Sequence, residues 1–92
     1  MKTIPIEITD QDLRNGKPRA ASWSPAALAI SRRLWCDRTN VAILADTIML
    51  FRGHKCEIVQ APAALQAFTR KYDAGETVEP FAFDLTLHTG IY

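Results

Sequence analysis

The run Trp23-Ser24-Pro25, followed by Ala26-Ala27-Leu28-Ala29-Ile30-Ser31-Arg32-Arg33-Leu34-Trp35, constrains this chain more than any other stretch. Ser24 can accept a hydrogen bond from a free N–H of a helix's first turn, and Pro25 suits the first helical position, where its missing N–H costs nothing. Trp23 and Leu28 have the spacing of a hydrophobic staple across that entrance. Ala27, Ile30 and Leu34 recur at helical spacing with Leu28 and Trp35 beside them, which marks a core face. Arg32 and Arg33 come late enough to suit the negative end of the helix dipole. The stretch therefore predicts a helix ending near Cys36 or Asp37, around which the remaining segments pack.

Those segments read as short elements. Residues 3–8 alternate, with Ile4, Ile6 and Ile8 on one side, and Pro5 restricts this strand to a sheet edge or to pairing on one side. Thr9 or Asp10 caps a short helical turn through Leu13, and Asn15-Gly16 ends it. Residues 17–22 form an exposed connector, the most mobile internal segment on this reading. Residues 41–45, 47–51 and 55–60 are strand-like, divided near Asp46 and by the turn Arg52-Gly53-His54, and predict two or three antiparallel strands. A second helix begins at Pro62, carries Leu65, Phe68 and Tyr72 on one face, and is closed by Gly75. After Pro80, Phe81, Phe83, Leu85 and Leu87 alternate as a strand, and residues 88–92 read as a flexible tail. The expected fold is α+β: an antiparallel sheet of four to five strands with two helices packed on one face, in a single domain spanning residues 1–92.

Composition narrows the function classes. A formal net charge of +1 provides no global field for nucleic acid or an anionic membrane, but the cations are unevenly spread. Residues 1–40 hold seven Lys or Arg against four acids, and residues 41–92 hold four against six. Two cysteines, Cys36 and Cys56, allow at most one internal bridge, so reduced thiols are expected. The first residues lack the apolar run of a signal peptide, and no segment approaches the roughly 20 apolar residues of a membrane span. The expectation is a cytoplasmic protein that makes no membrane contact.

Chemistry-bearing constellations are sparse. Cys36, His54, Cys56 and His88 are zinc-type donors, yet only His54 and Cys56 approach paired-ligand spacing, so no metal is expected. No flanking motif supports a Cys/His nucleophile, and Glu7, Glu57 and Asp84 read as solvent-facing carboxylates on separate strands rather than as an acid/base pair. No phosphate loop, dinucleotide fingerprint or helix-turn-helix spacing occurs. The expectation is thus a non-enzyme with no cofactor and no catalytic residue. The candidate binding patch is Arg14, Lys17, Arg19, Trp23, Arg32, Arg33 and Arg38, with Trp23 or Trp35 available for stacking. Cations beside an aromatic ring suit either a protein hot spot or a phosphate backbone with its bases, and the sequence leaves both open. The alternative to either is a solvated face with a stapling and a core tryptophan.

Three groups of residues carry a resemblance that covers most of the chain: Ile8-Thr9-Asp10 and Gly16; Ser24-Pro25-Ala26-Ala27-Leu28-Ala29; and Phe68 through Tyr72-Asp73-Ala74-Gly75 to Val78-Glu79-Pro80-Phe81-Ala82-Phe83-Asp84-Leu85. In this pattern the chain resembles a group of short phage and prophage proteins with a Cys/Ser-Pro-x-Ala-x-Ala helix and a Tyr/Phe-Asp-x-Gly-x-x-Val-x-Pro-Phe-x-Phe signature. In that group a cysteine often stands where this chain has Ser24, so the position is read here as a helix cap. The resemblance implies a phage setting in a bacterial host and no particular activity. The functional expectation is a small accessory protein that binds a host or phage protein, with homodimerisation left open. The alternative is a nucleic-acid or nucleotide binder using the basic patch, such as an inhibitor of a bacterial defence system.

Overall fold

The computed structural model describes all residues from Met1 to Tyr92. Its elements in order are β1 (Lys2–Ile8), α1 (Asp10–Asn15), α2 (Pro25–Leu34), a 3-10 turn (Arg38–Asn40), β2 (Val41–Ile43), β3 (Thr47–Arg52), β4 (Lys55–Gln60), α3 (Ala63–Asp73) and β5 (Phe81–Leu87). The α+β class is as expected. The strands, however, fall into two antiparallel sheets, β1-β5 and β2-β3-β4, rather than one. Pro5 lies opposite Asp84 on a strand paired on one side only, where a missing donor is tolerated. No ladder joins β4 to β5. Instead the Glu57 side chain on β4 accepts hydrogen bonds from the backbone N–H groups of His88 and Thr89, just past β5. Beyond that junction a cavity lined by Ile58, Gln60, Asp84 and Thr86 opens between the two strands.

Helix α2 joins the halves, touching β1 of one sheet and β2 of the other as well as α1. Its entrance follows from its sequence: Ser24 Oγ accepts from the Ala27 N–H at 3.2 Å, and Pro25 occupies the first turn. Ala26, Ala27 and Ala29 are buried beside Ile30, and the small alanine side chains let backbones approach. Gly16 shows how close: a Cβ there would lie 2.8 Å from the Pro25 ring, so only glycine lets the end of α1 rest on the start of α2. Both parts of the Gly16 and Ser24-Pro25 pattern thus have a packing cause. The core joins the isoleucines of β1, Val41, Ile48 and Leu50 of the second sheet, Leu65 and Phe68 of α3, and Phe83, Leu85 and Leu87 of β5.

Two segments are more firmly held than the sequence reading implied. The connector 17–22 is exposed and irregular as expected, yet the Lys17 N–H donates to the Trp23 carbonyl at 2.7 Å and the Ala21 carbonyl accepts from Ile43 at 2.9 Å. Arg19 donates its backbone N–H to the Asp73 carboxylate at 2.8 Å and its guanidinium to the Asp73 carbonyl at 3.1 Å. Residues 88–92 likewise lie along the body rather than away from it. The Tyr92 hydroxyl donates to the Phe51 carbonyl, and Arg52 donates to the Ile91 carbonyl at 2.9 Å. In both places polar backbone groups find partners on distant elements, which no local sequence pattern encodes.

Candidate binding surface

Five of the seven candidate residues are already engaged within the chain. Arg32 makes the chain's one ion pair, with Asp12: its guanidinium donates to both carboxylate oxygens, at 2.6 and 2.9 Å, and also to the Glu7 carbonyl at 3.1 Å. Asp12 is buried at 3% exposure and closes a capping box with Thr9 at the start of α1. Burial pushes its carboxyl pKa up, but the Arg32 hydrogen bonds, the Thr9 N–H and the Arg32 charge together hold it below the ordinary value. Arg32 is therefore a structural clasp between α1 and α2, and Arg19 is occupied by Asp73.

Trp23 gathers two further candidates. The Lys17 Nζ lies 4.0 Å and the Arg38 guanidinium carbon 3.8 Å from the centre of its ring, and Arg38 also reaches the Ser22 carbonyl at 3.4 Å. The half-buried Trp23 ring is thus covered by cations of its own chain rather than offered to a ligand. Of the original seven, Arg14 and Arg33 are exposed and make no hydrogen bond or ion pair through their side chains. Arg14 lies in the last turn of α1.

Arg33 has a neighbour the sequence reading misplaced. Trp35 is expected beside the core face, yet it is 93% exposed. The reason lies in the backbone. Helix α2 stops at Leu34, and Trp35 takes the left-handed conformation at φ 58°, ψ 42°. The Cys36 N–H returns to the Ser31 carbonyl at 3.0 Å, and the Trp35 N–H to Arg32 at 3.4 Å, the bond pattern that usually ends a helix at glycine. A large side chain there costs about 1–2 kcal/mol. The same reversal turns Cys36 inward against the core and throws the indole out.

Arg33 and Trp35 form a ridge between two cavities. One, of about 530 Å³, runs past Pro5, Glu7, Thr9 and Arg32; the other, of about 240 Å³, is lined by Lys2, Ile4, Arg52 and Tyr92. Lys2 and Arg52 lie outside the candidate patch, because their approach to α2 depends on how β1 and β3 dock. Tyr92 packs against the core and sits near Cys36; its phenol is pushed up to about 12 by burial and then by that thiol, so it is uncharged at neutral pH. Burial, more than any neighbour, also raises the Cys36 thiol.

The remaining chemistry-bearing residues stay apart. Cys36, His54, Cys56 and His88 form no ligand cluster. Glu57 is not a solvent-facing carboxylate. It is 3% exposed and accepts from two backbone N–H groups and the Thr89 hydroxyl. Burial raises its pKa, and those three hydrogen bonds outweigh burial to leave it lowered. Its role is to pin residues 88 and 89 onto β4. No helix is long and apolar enough to cross a membrane. The chain matches no protein-family model, and comparison with curated proteins and with solved structures returned no significant match.

Proposed function

We propose that this chain is a small non-enzymatic accessory protein, of the phage type its signatures resemble, that binds a partner protein through the ridge of Arg33 and Trp35. The observation that carries this reading is an indole left 93% exposed at a backbone position that disfavours it. Strained backbone that persists in a folded chain points toward function. Tryptophan and arginine are also the side chains that most often dominate protein interfaces. In this reading the ridge inserts between surfaces of a host or phage protein, while the clasp of Arg32 and Asp12 keeps the end of α2 in place.

Nucleic-acid or nucleotide binding is the second reading, and the three unpaired cations around Trp35 favour it: Lys2, Arg33 and Arg52. Capture from a bacterial lysate separates the two. Wild-type protein is expected to retain a partner that survives nuclease treatment, and Trp35→Ala, confirmed as folded by circular dichroism and melting, is expected to lose it. Equal capture by both proteins removes this reading. Material released by nuclease moves the assignment to nucleic acid.

A further inference from the structure

Resting on that reading, we infer that the cavity between Lys2, Arg33, Arg52, Trp35 and Tyr92 receives a carboxylate-bearing segment of the partner protein. Three cations and no acidic side chain line this cavity. None of the three is spent on an ion pair, since the only one in the chain joins Arg32 to Asp12. Arg52 is already oriented: it donates to the Ile91 carbonyl at 2.9 Å and lies 5.5 Å from the centre of the Tyr92 ring. One donor is thus committed and the other N–H groups of the fork remain for a ligand. A guanidinium held this way loses little freedom when it meets a carboxylate, and the two can pair through parallel hydrogen bonds. The Tyr92 hydroxyl donates to the Phe51 carbonyl, so the ring brings no negative charge into the cavity.

The charge on the other side of the ridge selects a polypeptide over a nucleic-acid strand. Glu7 lines the larger cavity, which shares Arg33 and Trp35 with the smaller one. A polyanion stacked on Trp35 and continuing across it would bring a phosphate toward that carboxylate. A polypeptide can place a carboxylate on the Lys2 side and an uncharged or basic residue on the Glu7 side. Single-strand binding also calls for a continuous cationic groove. Here Arg32 is paired with the Asp12 carboxylate, the Arg19 guanidinium lies on the Asp73 backbone carbonyl, and Lys17 and Arg38 lie over Trp23, which leaves no such track.

The test uses a capped peptide of alternating Asp and Gly, its Asn counterpart and an oligothymidylate, each titrated into the full chain while the Trp35 indole N–H and Arg52 guanidinium NMR signals are followed. The Asp peptide is expected to move both signals, more weakly as salt is raised, and to lose about tenfold or more in affinity in Arg33→Gln and Arg52→Gln. Arg33→Gln removes no hydrogen bond or ion pair within the fold, so it decides the matter even if Arg52→Gln loosens residues 91 and 92. Equal binding of the Asn peptide, unmoved signals, or displacement of the Asp peptide by the oligonucleotide overturns the assignment. If the Asp peptide is ignored while Trp35→Ala still loses its captured protein, the acidic chemistry fails and the binding-module reading stands.

Discussion

The two tryptophans flanking helix α2 share the same chemistry in opposite surroundings. At the entrance, Trp23 is half-buried, with Lys17 and Arg38 each within 4.0 Å of the centre of its ring. At the exit, Trp35 stands 93% exposed between cavities bordered by Lys2, Arg33 and Arg52, and no cation lies over its ring. An indole and nearby cations are present at both ends, but only one end has closed the interaction within the chain. Cation and aromatic ring attract by about 0.5–1 kcal/mol at exposed sites, so the entrance gains stability that the exit leaves available to a ligand. Composition does not distinguish the two, and what separates them is whether the chain folds back over the ring.

The contrast can be broken most forcefully at the clasp that holds the exit end in place. Arg32→Ala leaves the buried Asp12 carboxylate without its charged donor and is expected to cost about 2 kcal/mol in urea unfolding. The carboxyl is held below its ordinary value of 3.8 in the folded chain. Its contribution is therefore fully present above that value and lost as pH falls through the lowered folded pKa. The wild-type advantage over Arg32→Ala should accordingly shrink on acidification through that window. An advantage unchanged across it would show that the clasp is not what stabilises this end.

A smaller loss tests the entrance. Trp23→Ala removes both cation contacts and is expected to cost about 1–2 kcal/mol while leaving partner capture intact. Loss of capture at unchanged stability would reverse the roles assigned to the two tryptophans.

The smallest effect has the opposite sign. Trp35→Gly relieves the left-handed strain and is expected to raise stability by about 1 kcal/mol while abolishing capture. A melting point that falls on this substitution would mean the indole supports the fold after all.

Much of the architecture was legible residue by residue. The Ser24 cap with Pro25, the alternation of β1 and β5, the Gly53 turn between β3 and β4, and the Leu65-Phe68-Tyr72 face of α3 are local patterns, and each appears where its periodicity or turn chemistry places it. The division into two sheets was not legible. Where the two sheets meet, a carboxylate of β4 bonds the amides of His88 and Thr89, some thirty residues away, and no local pattern encodes that contact. The candidate site fared similarly. Arg33 was found by its charge, but four of its companions are already used: Arg32 by the Asp12 carboxylate, Arg19 by the Asp73 backbone carbonyl, and Lys17 and Arg38 by Trp23. The capping spacing from Thr9 to Asp12 was present in the sequence as a signal for a helix start, although not for the arginine that joins it.

By itself, then, the sequence determined where helices start and which faces of its strands turn inward, because those follow from caps, proline, and periods of two and 3.6 residues. It also supplied the tryptophans and cations from which a binding surface could be made. Only the tertiary structure decided which of them were left over. Charges and rings distant in sequence pair when the elements dock, and an exposed site is what remains after that pairing. For Trp35 the deciding step was a single left-handed residue, which ended α2 early and turned the indole away from the core.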